Sequence, residues 1–180
     1  MTSTPATPCD DADPGAATVR RFRTDGPDDT RRLAAELAEL VRDRDVVVLT
    51  GDLGAGKTCF TQGLGQGLGI EDRITSPTFT LANRYHGRLT LHHLDVYRLD
   101  SIAESIDLGL DELVEDGVTV IEWGDRIDQV LPADHLLIRL RYPEATEDAL
   151  DRRLIEVVVP AGSDWADREW SVIDRWRQLS

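Results

Sequence analysis

Leu33, Leu37, Leu40 and Val41 recur at helical spacing behind the acidic pair Asp28-Asp29, a pattern that predicts an amphipathic helix capped by one of the two aspartates. A short strand is expected before it, around residues 19–23. The pattern then changes. Val46-Val47-Val48-Leu49 is an unbroken apolar run, which reads as a buried strand over 46–50. From Lys57 a second helix is predicted, with Phe60, Leu64 and Leu68 on one face. Gly63, Gly65, Gly67 and Gly69 interrupt that helix at up to about 1 kcal/mol each against Ala, which points to close approach of another chain. Residues 78–84 and 89–94 read as strands joined at His86-Gly87, and 101–113 as a helix broken near Gly109. Val118-Thr119-Val120-Ile121 reads as another buried strand, and 136–142 with 154–159 as a hairpin across an acidic loop.

The two ends differ from this middle. Residues 1–17 are polar and interrupted by proline, as expected of a disordered tail. Residues 18–160 hold every predicted strand and form one expected domain. In 161–180, Trp165, Trp170, Ile173, Trp176 and Leu179 fall at spacings near three, an amphipathic helix that either docks on its own domain or binds a partner.

Charge narrows the partners. Twenty Lys and Arg against 34 Asp and Glu leave a net charge of −14, with no basic stripe interleaved with aromatics. Such a surface opposes direct binding to a phosphate backbone, so any link to nucleic acid is expected to run through a partner protein. Cys9 and Cys59 make neither a disulfide framework nor a zinc spacing, which suits a reducing compartment. No apolar run is long enough to span a bilayer and the N-terminus lacks the apolar core of a secretion signal, so a soluble, cytoplasmic protein is expected.

The chemistry sits at Gly51-Asp52-Leu53-Gly54-Ala55-Gly56-Lys57-Thr58, which fits G-x-x-x-x-G-K-[ST] at every fixed position. Between a buried strand and a helix start, the glycines let backbone N–H groups turn inward around an anion, helped by the helix dipole. Lys57 is then expected to reach the β- and γ-phosphates of a nucleoside triphosphate, and the Thr58 hydroxyl to hold Mg²⁺.

Such a site needs carboxylates at the ends of neighbouring buried strands. Two runs close in this way, the apolar 118–121 at Glu122 and Leu91-His92-His93-Leu94 at Asp95, the second being the weaker candidate because it contains two histidines. His93 and Asp95, two apart, share one face of a strand, either as hydrogen-bonded neighbours of the site or as part of a metal site that lacks an evident third ligand. Trp123 is expected on the face opposite Glu122, in the core or at the border of a site. Ser76-Pro77-Thr78-Phe79-Thr80 lies where phosphate-loop proteins often keep a threonine that senses the γ-phosphate, which makes Thr78 or Thr80 a candidate.

Four ordered motifs resemble one family, TsaE, the bacterial ATPase of tRNA threonylcarbamoyladenosine synthesis. They are the loop 51–58, Ser76-Pro77-Thr78-Phe79-Thr80-Leu81, His93-Leu94-Asp95-Val96-Tyr97-Arg98-Leu99 and Ile121-Glu122-Trp123. The resemblance spans roughly 24–159, with Glu104, Gly109-Leu110, Leu131-Pro132 and Arg153 as weaker matches. It departs at Cys59, His92 and Gly124, and does not reach the tryptophan-rich end.

The resemblance implies an α/β, three-layer P-loop NTPase fold with a mostly parallel central sheet and a C-terminal hairpin. It implies Mg²⁺-dependent ATP hydrolysis, slow without partners, and assembly with TsaB and TsaD, which would bring tRNA only indirectly. By motif position Gly51 to Thr58 would hold the phosphates, Thr58 and Glu122 would serve Mg²⁺, and Asp95 would act with Glu122 in hydrolysis. Thr78 would face the γ-phosphate and Trp123 would lie by the nucleotide. A small-molecule kinase is the alternative, but the chain shows Arg98 and Arg126 without an arginine-rich lid. A GTPase would need a guanine-reading Asn-Lys-x-Asp element, which is absent.

Overall fold

The computed structural model describes residues 16–77, 80–98, 115–143 and 151–176. Strand β1 (Thr18–Thr24) leads into helix α1 (Pro27–Leu37), then β2 (Asp45–Thr50) and α2 (Lys57–Gly67). Strands β3 (Ala82–His86), β4 (Thr90–Asp95), β5 (Val118–Glu122), β6 (Leu136–Arg141) and β7 (Arg153–Val159) complete one sheet. Its order is β1-β7-β6-β2-β5-β4-β3. The fold is α/β, and β6, β2, β5 and β4 form a parallel centre. Parallel pairing is confined to that centre, because β3 adds antiparallel to β4 while β7 and β1 add antiparallel to β6.

The four apolar residues of β2, Val46 to Leu49, alternate between two apolar clusters, so the strand needs cover on both faces. Val47 and Leu49 join Phe60, Leu64 and Leu37 under the helices, while Val46 and Val48 meet Leu94, Ile121 and Ile127 on the other face. Gly63 and Gly67 of α2 are explained by α1 of the same chain, and Gly65 by the Ile74 side chain. A Cβ on Gly63 would lie 2.2 Å from the Arg31 carbonyl oxygen, and one on Gly67 2.3 Å from that of Ala35. The two helix backbones therefore touch where a side chain would hold them apart.

Three elements differ from the pattern reading. Neither Asp28 nor Asp29 caps α1, since Pro27 begins the helix and both aspartates fall in its first turn, favourable to the helix dipole. Strand β3 starts only at Ala82, because Leu81 adopts φ 65° and its N–H turns back to the Pro77 carbonyl at 2.7 Å. The end of the chain is a series of turns closed by a 3₁₀ helix, Trp170–Trp176, rather than a regular α-helix. Trp165, Trp170 and Ile173 nonetheless bury into the larger cluster. The tail through residue 15, the helix expected over 101–113, Glu104, Gly109, Leu110, Thr78 and Leu179 lie outside the described residues.

Candidate functional site

The loop 51–58 joins the C-terminal end of β2 to the first turn of α2. Three of its glycines take left-handed backbone, Gly51 at φ 136°, Gly54 at 78° and Gly56 at 106°. Gly51 is doubly constrained, because a Cβ there would stand 2.1 Å from the Leu140 carbonyl oxygen of β6. Leu53 projects at the tip, 80% exposed, whereas Ala55 is buried. From β7, Arg153 donates to the Ala55 and Gly54 carbonyls at 3.0 and 3.3 Å, and its guanidinium lies over Tyr142 at 4.2 Å. This clamp fixes the loop from outside. Only a weak motif match pointed to Arg153 in the sequence.

Lys57 is the only lysine of the chain and is 5% exposed. Its ammonium donates to the Gly51 and Asp52 carbonyls at 2.6 and 2.9 Å and lies 3.4 Å from the Trp123 ring centre. Burial lowers its pKa below the usual lysine value, against the upward pull of Glu122, Asp95, Asp125 and Asp52. Among the described residues no carboxylate forms an ion pair with it. The result is a buried cation held by neutral groups, a poised receptor for an anion.

The two candidate carboxylates are neighbours. Asp95 and Glu122 end β4 and β5 in register and emerge on the α2 side of the sheet. Glu122 accepts the Thr58 hydroxyl at 3.1 Å through Oε2 and contacts His93 Nε2 at 2.8 Å through Oε1. Asp95 accepts Ser76 Oγ at 2.8 Å and the Tyr97 N–H at 3.1 Å. Ser76, inside a motif quoted for its threonines, is thus the hydroxyl that meets Asp95. Thr80 turns instead to Pro77 O and Asn83 Oδ1. Thr78 is outside the described residues.

His93 and Asp95 are partnered separately, His93 with Glu122 and Asp95 with Ser76 and the Tyr97 N–H. Among the described residues no group of three His, Cys, Asp or Glu side chains could hold a metal by itself. Thr58 and Glu122 do fit an ion that takes most of its ligands from water and phosphate oxygens, as Mg²⁺ does.

Trp123 leaves β5 through left-handed backbone, φ 64°, and still lies on the face opposite Glu122. It packs against the opposite-face cluster, yet its ring covers Lys57 and stacks on Tyr97 at 4.8 Å. Two cavities flank it. One of about 410 Å³ contains Lys57, Thr58, Ser76, Asp95 and Glu122; the other, about 500 Å³, runs from Gly51 and Asp52 along Arg139 and Arg141 of β6. The first can take phosphate oxygens between a cation, a hydroxyl and two carboxylates.

Comparison with known proteins places the chain in a family. The model of the family "Threonylcarbamoyl adenosine biosynthesis protein TsaE" matches residues 24–154. A relative from Treponema pallidum, a tRNA threonylcarbamoyladenosine biosynthesis protein TsaE, is 54% identical over 114 residues, 63% of this chain and 84% of that one. One of the same description from Streptomyces coelicolor is 43% identical over 148 residues, covering 79% and 98%. A crystal structure of YdiB from Bacillus subtilis superposes with a TM-score of 0.68 at 36% identity, over 80% of this chain and 87% of that one. The described helices are too short and polar to cross a membrane. With the loop, the paired carboxylates and the matched length in agreement, the chain belongs to the TsaE family of threonylcarbamoyl adenosine biosynthesis proteins.

Proposed function

We propose that the chain is a cytoplasmic, Mg²⁺-dependent ATPase that serves threonylcarbamoylation of adenosine 37 in tRNAs reading codons beginning with A. In this reading it binds the TsaB–TsaD assembly when ATP is bound and uses hydrolysis to reset it, meeting tRNA only through those partners. The observation that carries the proposal is a buried Lys57 without an ion-pair partner among the described residues, beside a Thr58–Glu122 pair. Lys57 exchanges the Gly51 and Asp52 carbonyls for the β- and γ-phosphates, a stronger, charge-assisted contact. Gly51 to Gly56 wrap the phosphates with backbone N–H groups.

Thr58 and Glu122 would hold Mg²⁺, Glu122 by way of water. When bound, the ion neutralises charge on the phosphates. His93 pins one Glu122 oxygen and leaves the other toward Thr58. Asp95, held by Ser76 and the Tyr97 N–H, works with Glu122 to orient the attacking water. Trp123 shields Lys57 at the nucleotide's edge, and Thr78 is assigned to the γ-phosphate by motif position alone. A small-molecule kinase is the other reading of such a loop.

The test is ATP turnover with and without TsaB–TsaD. Slow hydrolysis by the chain alone and acceleration by the pair are expected. Transfer of the γ-phosphate to a small acceptor, independent of the pair, would favour the kinase; no turnover in either condition would refute both.

A further inference from the structure

Folding gathers on one sheet face arginines that the sequence disperses. On β1, Phe22 and Thr24 are buried under the helices, so Arg21 and Arg23 face the other way. On β6, Arg139 and Arg141 do the same, alternating with buried Ile138 and Leu140. Between these strands runs β7. Its Glu156 lies in register with Arg21 on one side and Arg139 on the other, and its Leu154 lies between Arg23 and Arg141.

Glu156 is 3.1 Å from Arg21, 3.7 Å from Arg141 and 4.0 Å from Arg139, while Arg23 and Arg152 share Asp25 at 3.4 and 3.2 Å. Five guanidiniums are thus set against two carboxylates, in a chain whose net charge is −14. The next row of this face, Val19, Val158 and Leu137, is aliphatic, with Val19 38% exposed. Among the described residues both α-helices lie on the other side of the sheet. Arg139 and Arg141 also wall the cavity that leads to Gly51, Asp52 and Trp123, a cavity that Asp125 and Asp128 line as well.

We infer that this outer face of β1, β7 and β6 docks a protein partner whose surface is acidic and partly aliphatic. Excess guanidinium is suited to bidentate carboxylates, and the aliphatic row supplies area to bury beside them. A polynucleotide fits less well, since it would look for stacking side chains between the arginines and would be repelled by the remaining surface. The face reaches the phosphate-binding loop along one continuous wall, so a partner seated there lies within contact of the nucleotide site.

The inference rests on the TsaB–TsaD reading for its probe. The experiment measures ATP-dependent binding of that pair to the parent chain, to the double variant Arg21→Glu/Arg23→Glu, and to Arg21→Lys/Arg23→Lys. Parent binding is expected to weaken as salt rises. The Glu variant should bind about tenfold or more weakly, and the Lys variant should keep most of the affinity, with ATP affinity unchanged in both. The Glu variant should still fold though less stably, since a glutamate at position 21 would face Glu156. Parent-like binding by a folded Glu variant would overturn the surface assignment alone. Absence of parent binding would overturn the partner reading and this inference with it. tRNA binding by the parent that the Glu variant loses, or a dimer that it disperses, would assign the face to another occupant and equally overturn it.

Discussion

Strand β2 has a buried cation at each end, and the two are treated in opposite ways. At its start, Arg168 from the end of the chain forms a two-pronged ion pair with Asp45, donates to the Leu40 carbonyl at 2.8 Å, and stacks on Trp165 at 3.6 Å. Beyond its other end, Lys57 has the same burial and a similar tryptophan contact, 3.4 Å from Trp123, but only carbonyl oxygens to donate to. The charge of Arg168 is matched by Asp45, so Arg168 is a fastener. A buried cation that meets only carbonyls retains electrostatic attraction, which supports the proposed role of Lys57 as a phosphate receptor.

Substitutions at both ends of β2 and in the helices test that contrast. The largest effect is expected at the fastener. Arg168→Ala leaves Asp45 buried without its counter-charge and should cost about 3–5 kcal/mol in urea unfolding, while the folded fraction still binds ATP. Replacing both Arg168 and Asp45 with leucine should recover much of that loss. At the receptor end, Glu122→Gln should slow partner-stimulated ATP hydrolysis about 100-fold with ATP affinity changed by less than about threefold. A normal rate would remove Glu122 from the chemistry.

The helices joining the two ends are probed by Gly63→Ala. Its methyl group would meet the Arg31 carbonyl oxygen, so α2 must move off α1 at about 1–3 kcal/mol by thermal unfolding. The smallest effect is a pH dependence. Burial lowers the Lys57 pKa in the folded chain below 10.5, so between the lowered value and 10.5 the unfolded chain holds more protons and parent stability rises with pH. Lys57→Met removes that dependence. The difference in unfolding free energy between the two should therefore shift in the parent's favour as pH climbs toward 10.5, and a flat difference would contradict the burial cost.

The same contrast separates what is legible in the sequence from what is not. The receptor is contiguous: the loop is eight consecutive residues, and Asp95 and Glu122 announce themselves as acidic ends of apolar runs. Parallel register then sets those two side by side. The fastener joins Asp45 to Arg168 across 123 residues, and nothing local in either segment points to the other. The arginine face is equally non-local, since it exists only once β7 lies between β1 and β6. Alternation puts Trp123 opposite Glu122, but its cover over Lys57 depends on the left-handed turn its backbone takes after β5. The α2 glycines were visible as an anomaly, but that α1 is the approaching element follows only from packing.

The central claim is that Lys57 is the receptor for nucleotide phosphate. Calorimetric titration of ATP with Mg²⁺ into the parent, Lys57→Ala and Arg168→Met tests it most directly. Lys57→Ala is expected to lose affinity by about 100-fold or more, while Arg168→Met, measured where it is folded, should bind within about twofold of the parent. Parent-like binding by Lys57→Ala would contradict it.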